Sequence, residues 1–148
     1  MQPRNTFEHS QISSITNPAA SGVLVFCEPS KEFLLVKRHP RAKAYANTWA
    51  IPAGEINVEI LESVDNCARR EFEEETTVTI PDSVQLWCID RYLTDDNRVF
   101  FLFLWKVQKK FFVRINSEHT EVGWFSGDNL PEPITDQVKD AIHRVLSL

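Results

Sequence analysis

Three glutamates near the middle of the chain are spaced so that they could share one face of a helix. They are Glu71, Glu74 and Glu75, at i, i+3 and i+4 within "ARREFEEETTV", residues 68–78. Like charges at this spacing repel, and burying them unpaired costs several kcal/mol per charge. The side chains therefore need a cation. Mg²⁺ and Mn²⁺, which prefer oxygen ligands, meet that requirement.

A helix over residues 62–76 would turn two of these glutamates toward the core. With Val64 taken as zero and about 100° per residue, Glu71 and Glu75 fall within about 20° of it. The apolar residues of the same face are Cys67, Ala68 and Phe72. The other charged residues, interpreted as a solvated face with pairs four residues apart, are Glu62, Asp65, Arg69 and Glu73.

Arginines do not replace the cation in this scheme. Arg69 faces away from the inward glutamates, and Arg70 lies to one side, where we expect it to reach Glu74 only. Two competing hypotheses need no metal. In one, the C-terminal half of the helix simply emerges into solvent; in the other, the helix is an acidic surface for binding another protein.

The stretch "GEINVEILESVDNCARREFEEETTV" at residues 54–78 resembles the box of the Nudix hydrolases. The residues that fill the places of that pattern are Gly54, Glu62, Arg70, Glu71, Phe72, Glu74, Glu75 and Val78. Two features depart from it. Seven residues instead of five separate Gly54 from Glu62, and Thr77 stands where the family has glycine. Left-handed backbone is costly for threonine, so we expect the turn at Thr77 to take another route.

The resemblance implies a fold and an activity. The fold is of the α/β class, a Nudix-type α/β/α sandwich whose mixed sheet lies between a catalytic helix and a C-terminal helix. The activity is metal-dependent hydrolysis of the diphosphate linkage in a nucleoside diphosphate linked to another group. Substrates of relatives include nucleotide sugars, dinucleotides and nucleoside triphosphates. The alternative is a Nudix-like nucleotide-binding or regulatory module without catalysis.

It also implies residue roles. Mg²⁺ or Mn²⁺ would be held by Glu71, Glu74, Glu75 and the backbone carbonyl of Ala53. Arg70 would brace the glutamates, and it belongs with Glu74 and Glu75 to the catalytic set.

The general base differs among relatives, which use either a helix glutamate or a carboxylate before a late strand. Here "NSEHTEVGWF" offers Glu118 and Glu121, and either could accept a proton. His119 is a weaker candidate, because a lone loop histidine is more often structural.

Substrate contacts are less readable. "VKRHPRAK" places Arg38 and Arg41 where a strand enters a long loop, a suitable position for diphosphate oxygens. Trp49 could stack on a base, although aromatic residues in strands are usually core. We lean toward a nucleotide sugar or dinucleotide, because the expansion before Glu62 and the 39–50 loop could make room for a bulky second half.

The remaining elements must position these residues. The strand candidates are "SGVLVFCE", "EFLLVKR", "TWAIP", "VQLWCIDRYLT", "RVFFLFLWKVQ" and "EVGWFS". Apolar residues at helical spacing in "ITDQVKDAIHRVLSL" predict a C-terminal amphipathic helix. We interpret residues 1–148 as one domain, with residues 1–18 as an N-terminal arm or edge segment.

Bulk properties limit the function. A net charge of −5 and a pI near 5.4 argue against a nucleic-acid-binding protein. The sequence has no run long enough to span a bilayer, and its start does not resemble a signal peptide, so we expect a cytoplasmic protein. Cys27, Cys67 and Cys88 are interpreted as buried thiols. The arm and the apolar 84–108 hairpin could support a homodimer.

Overall fold

A computed structural model describes residues 17–148 and contains one seven-stranded sheet. The strands are β1 (Ala20–Cys27), β2 (Glu32–Arg38), β3 (Trp49–Ala50), β4 (Ala53–Glu55), β5 (Trp87–Leu93), β6 (Val99–Val107) and β7 (His119–Ser126). The helices are α1 (Val64–Thr76) and α2 (Asp136–Leu146), with a short 3₁₀ helix at Val58–Ile60. The predicted N-terminal arm lies outside the described residues, except for its last two positions.

The sheet is mixed, because one central pair of strands is parallel. Its order is β3-β2-β1-β6-β5, with β4 also pairing β1 and β7 also pairing β2. Strands β1 and β6 run parallel from Ala20 opposite Phe100 to Cys27 opposite Val107. The two predicted hairpins, β1–β2 and β5–β6, are both antiparallel. The parallel pairing brings the β5–β6 turn to the start of β1.

Two apolar clusters cover the two faces of this sheet. One joins the sheet to Ala68 and Phe72 of α1. The other joins the opposite face to α2, whose buried residues are Val138, Ala141, Ile142 and Val145. Both helices bury the apolar face that the sequence predicted, so the α/β/α sandwich is confirmed.

Helix α1 begins two residues later than predicted. Ser63 is its N-cap, and the Ser63 hydroxyl accepts a hydrogen bond from the Asn66 N–H at 3.1 Å. This cap satisfies one of the free N–H groups of the first turn. Glu62 therefore precedes the helix, and its placement on the outward helical face was wrong.

The interpretation of the cysteines was right for two of the three. Cys27 and Cys67 are buried, but Cys88 is exposed. Cys88 lies on β5, at the edge of the sheet, beside an irregularity in the pairing with β6. An edge strand lacks a neighbour on one side, and its side chains stay accessible. Within residues 17–148, no helix combines the length and apolar character needed to cross a bilayer.

Candidate active site

Helix α1 carries a glutamate into the interior, as the helical spacing predicted. Glu75 is 1% exposed and continues the face of Ala68 and Phe72. Its Oε1 accepts a hydrogen bond from the Ala53 N–H at 3.3 Å, whereas Oε2 has no hydrogen-bond partner among the described residues. Burial, followed by the carboxyls of Glu71 and Glu118, raises the pKa of Glu75 far above its usual range. The site thus disfavours this carboxylate unless a cation joins it.

The donor set fits a hard divalent cation. Glu71 lies one turn before Glu75 and contacts it, and Glu74 stands on the exposed flank of α1. The Ala53 N–H donates a hydrogen bond to Glu75, so the backbone of Ala53 lies beside the Glu75 carboxylate. Carboxylate and carbonyl oxygens are the ligands that Mg²⁺ and Mn²⁺ prefer, and the unpaired buried oxygen of Glu75 is where such a charge is needed.

Arg70 reaches more of the site than the sequence indicated. It bonds to Glu71 at 3.0 Å and to Glu74 at 3.2 Å. Its strongest contact is with Glu62, through Nε at 2.7 Å and Nη2 at 2.9 Å. The expectation that Arg70 reaches Glu74 only was wrong, because Glu62 comes from the loop and not from the helix. This pairing lowers the pKa of Glu62.

The loop that contains the two extra residues is closed by hydrogen bonds between Asn57 and Glu62. The Asn57 N–H donates to the Glu62 carboxylate at 2.9 Å, and the Glu62 N–H donates back to the Asn57 carbonyl at 3.1 Å. Between them, Leu61 adopts left-handed backbone at φ 52° and is 90% exposed. The tip of the expanded loop therefore faces solvent, and the two extra residues do not prevent Glu62 from pairing with Arg70.

The turn after α1 is a second correction. Thr77 itself adopts left-handed backbone, with φ 65° and ψ 14°. Its N–H donates to the Glu73 carbonyl at 2.9 Å, and its hydroxyl donates to the Arg114 carbonyl at 2.7 Å. The expected alternative route was wrong. Thr77 occupies the conformation usual for the family's glycine, and its side chain forms a hydrogen bond that glycine cannot.

The outward face of α1 matches its prediction in part. Arg69 pairs with Asp65 four residues earlier. Glu73, however, accepts a hydrogen bond from the Thr79 hydroxyl instead of pairing with Arg69. Arg69 also donates to the Pro81 carbonyl at 3.1 Å, which ties α1 to the following loop.

Gly54 is a position where only glycine fits without rearrangement. A Cβ at this residue would lie 2.1 Å from the carboxyl carbon of Glu71. The missing side chain lets the β4 backbone approach that carboxylate closely. The glycine of the predicted box thus has a steric role at the site.

A cavity of about 580 Å³ opens beside the glutamates. It is bounded by Ala53, Gly54 and Glu71 on one side and by the loop after β2 on the other. Arg38 and Arg41, the predicted substrate-binding residues, both line it, and the Arg38 Nε donates to the Ala44 carbonyl at 2.8 Å. This volume is within the range of small-ligand sites. Residues 56–61 lie outside the lining, so the expanded loop does not enlarge the cavity.

The two candidate bases at β7 lie in different surroundings. A register shift in the β2–β7 pairing places Arg38 opposite His119 and Lys37 opposite Glu121. Glu118 lines the cavity, and one of its carboxylate oxygens lies within 4.8 Å of a carboxylate oxygen of Glu75. Glu121, by contrast, pairs with Lys37 at 3.3 Å. The structure thus brings Glu118 to the site and leaves Glu121 on a neighbouring surface.

His119 is buried beside Glu75, in a position that the sequence did not indicate. Its Nε2 lies 3.6 Å from Glu75 Oε1. Burial and the charge of Arg38 lower the pKa of His119 to about 4. Burial raises the pKa of Glu75 and lowers that of His119, so both shifts disfavour the charged forms that an ion pair would need.

Trp49 lies away from the cavity. It is 7% exposed and contacts Phe125 edge to face, with ring centroids 5.0 Å apart. Both residues belong to the core on the α2 side of the sheet. The structure therefore does not bring Trp49 together with the arginines and glutamates.

Sequence reasoning missed three charged residues of the cavity, Glu55, Asp96 and Arg98. Arg98 pairs with Asp96 at 2.9 Å and with Glu55 at 2.8 Å. Asp96 and Arg98 come from the β5–β6 turn, which the parallel β1–β6 pairing carries to the site. A long-range pairing of this kind leaves no local signal in the sequence.

Comparison with known proteins agrees with this geometry. The sequence profile of the NUDIX domain matches residues 16–145. A MutT NUDIX hydrolase from Burkholderia pseudomallei is 23% identical, with a TM-score of 0.69 over 88% of this chain and 98% of that one. No curated protein sequence matches the chain significantly.

Two further solved structures are similar. A C. elegans Ap4A hydrolase is 19% identical, with a TM-score of 0.65 over 86% of this chain and 95% of that one. The NUDIX domain of Shewanella oneidensis NrtR, solved with ADP ribose, is 17% identical, with a TM-score of 0.70 over 96% of this chain and 98% of that one. Because the profile covers most of its length, the chain belongs to the Nudix family and is a hydrolase acting on phosphoanhydride bonds.

Proposed function

We propose that this protein uses Mg²⁺ or Mn²⁺ to hydrolyse the diphosphate linkage of a nucleoside diphosphate derivative, preferably a nucleotide sugar or dinucleotide. The observation that carries the proposal is the buried, unpaired oxygen of Glu75 beside a cavity lined by Arg38 and Arg41. A carboxylate that needs a cation and arginines that suit phosphate oxygens border the same space.

In this proposal each charged group has one task. Glu71, Glu74, Glu75 and the Ala53 carbonyl hold the cation, which neutralises phosphoryl charge and lowers the pKa of bound water. Arg70 fixes the orientation of Glu71 and Glu74 through its hydrogen bonds. Arg38 and Arg41 orient the diphosphate by charge-assisted hydrogen bonds.

Glu118 is the preferred general base. It lines the cavity, and its carboxylate lies within 4.8 Å of the Glu75 carboxylate. It would accept a proton from the attacking water as the new P–O bond forms and the bridging P–O bond breaks. The leaving group departs with the bridging oxygen. Glu121 is the less favoured base, because it is 56% exposed in its pair with Lys37.

The preference for a two-part substrate rests on cavity size and on the loop after β2. Tyr45 from that loop and Phe100 of β6 line the cavity together with Arg38. Aromatic surfaces at some distance from the glutamates could contact a base or a second sugar. The neighbours related to Ap4A and ADP ribose are consistent with this substrate class.

A substrate panel tests the proposal. The protein is incubated with Mg²⁺ or Mn²⁺ and with nucleoside triphosphates, nucleotide sugars, ADP-ribose and dinucleoside polyphosphates, and the products are separated by chromatography. We expect metal-dependent cleavage, fastest for a two-part substrate. Binding without cleavage of any member would instead indicate a nucleotide-binding module.

The proposed homodimer has a separate test. Trp87 of the edge strand β5 is 56% exposed, so this edge could meet a second copy. Sedimentation equilibrium should then show a dimer that Trp87→Lys dissociates.

A further inference from the structure

The imidazole of His119 is a buried polar group without a hydrogen-bond partner. Its side chain is 1% exposed, and neither Nδ1 nor Nε2 has a hydrogen-bond partner among residues 17–148. Buried polar side chains nearly always have such a partner, and residues 17–148 do not supply one for this ring. The same holds for Oε2 of Glu75, its neighbour.

These unpaired groups meet in a compact cluster. One ligand atom from each of Glu75, Glu118 and His119 lies within 4.8 Å of the other two. The residues come from two different elements, α1 and the start of β7. Carboxylate oxygens and an imidazole nitrogen are donors that divalent transition ions accept, and they lie near one another here.

Local structure fixes the three residues in place. The His39 N–H donates to the Glu118 carbonyl at 2.9 Å, which ties the segment before β7 to the end of β2. Asn116 holds the same segment to α1, since its side-chain amide donates to the Glu74 carbonyl at 3.2 Å. The backbone that carries Glu118 and His119 is therefore tied to both β2 and α1.

We propose that His119 is a nitrogen ligand of the cation, together with Glu75, while Glu118 beside them keeps the role of base, and that His119 biases the site toward divalent transition ions over Mg²⁺. This inference rests on the proposed metal requirement but not on which substrate is cleaved. The oxygen-only set of Glu71, Glu74 and Glu75 gives no such bias. An imidazole does, because Mg²⁺ favours oxygen and transition ions accept nitrogen more readily.

Pulsed electron paramagnetic resonance of bound Mn²⁺ tests the inference without any substrate. Mn²⁺ on the wild-type protein should show coupling to ¹⁴N, which changes to the ¹⁵N pattern when the histidines are ¹⁵N-labelled. His119→Gln should remove the coupling and weaken Mn²⁺ binding by about tenfold or more. Mg²⁺ binding by His119→Gln should change by less, about threefold at most.

His143→Gln is the matched control, since His143 is exposed on α2. It should keep the coupling and the Mn²⁺ affinity. Bound Mn²⁺ without nitrogen coupling in the wild-type protein overturns the inference, whether or not His119→Gln folds. Coupling that persists in folded His119→Gln also overturns it. Product release from the substrate panel without nitrogen coupling rejects the ligand role alone, whereas coupling without product release rejects the proposed hydrolysis alone.

Discussion

Arg70 donates to both carboxylate oxygens of Glu62, at 2.7 and 2.9 Å, and this pair joins the expanded loop to the helix of glutamates. The Glu62 side chain is 5% exposed and that of Arg70 is 33% exposed, so the carboxylate of the pair is largely removed from water. The same guanidinium holds Glu71 and Glu74. Glu62 therefore positions, through Arg70, two of the carboxylates that we propose as metal ligands.

Glu62→Gln should destabilise the protein by about 2 kcal/mol at pH 7, the usual contribution of hydrogen bonds to charged groups. Arg70 lowers the pKa of Glu62 in the folded protein. A depressed pKa gives stability that is present above the unfolded pKa, about 4.3, and lost as the pH falls through the folded value. The difference from wild type should thus shrink below about pH 4. Urea unfolding across pH 3–7 measures the difference in free energy of unfolding between the variant and the wild type.

Glu59→Gln is the control for this series, because Glu59 lies exposed in the same loop. Its unfolding curve should follow the wild type at each pH. A Glu62→Gln difference that stays constant from neutral to acidic pH would contradict the assigned ion pair.

Thr77 gives a prediction about stored strain. Left-handed backbone costs a non-glycine residue about 1–2 kcal/mol, and the hydrogen bond from Thr77 to the Arg114 carbonyl offsets part of that. Thr77→Val keeps the branched side chain but loses the hydroxyl, so it should lose about 1 kcal/mol of stability. Thr77→Gly relieves the strain and should be more stable than Thr77→Val. Chemical unfolding gives the free energy of unfolding of the wild type and of both variants. A glycine variant less stable than the valine variant would exclude strain at this residue.

Much of the fold could be predicted because its signals are local. The apolar spacing in α1 and α2 and the β-rich apolar runs of β1, β2, β5 and β6 are properties of short segments, and the structure has helices and strands there. The inward direction of Glu75 followed from the same spacing, because about three helix turns relate it to Val64 on the apolar face. The family pattern then supplied roles that spacing alone cannot.

What could not be predicted depends on tertiary contacts. The choice between Glu118 and Glu121 turns on a register shift between Lys37 and Arg38, which periodicity does not reveal. The backbone at Thr77 depends on a contact with Arg114, which lies 37 residues away. Arg98 reaches the cavity through a parallel strand pairing. Each depends on a contact between distant segments, and the sequence of either segment alone carries no signal of that contact.

Glu75→Gln should abolish metal-dependent stabilisation. A ligand at a hundred times its dissociation constant adds about 2.7 kcal/mol, which raises the Tm of a domain this size by roughly 5–10 °C. Mg²⁺ or Mn²⁺ should produce this shift in the wild type and not in Glu75→Gln. Without metal, the variant should be at least as stable as wild type, since it removes a buried acid with an unpaired oxygen. Calorimetry with and without metal gives all four values.

Gly54→Ala should weaken metal binding while leaving the fold in place. The added Cβ would meet the Glu71 carboxyl at 2.1 Å, and this side-chain end must move away. We expect metal affinity to fall by about tenfold or more, as when ligand-orienting contacts are lost. Gly127→Ala is the control, because its Cβ would meet Leu146 at 2.2 Å on the α2 side. Titration calorimetry should show unchanged metal affinity for that control, even where its Tm falls. Equal losses in both variants would reject a local effect at Glu71.

Glu118→Gln and Glu121→Gln separate the two candidate bases. Loss of a general base lowers turnover by about 10²–10⁴, so kcat should fall by that factor in Glu118→Gln. Glu121 pairs with Lys37 on the surface, and its replacement should change kcat by only a few-fold. Steady-state kinetics on the best substrate of the panel, with KM measured beside kcat, distinguishes lost chemistry from lost binding. A large fall in kcat for Glu121→Gln, with Glu118→Gln near wild type, would move the base to the other carboxylate and require the β7 segment to rearrange when substrate binds.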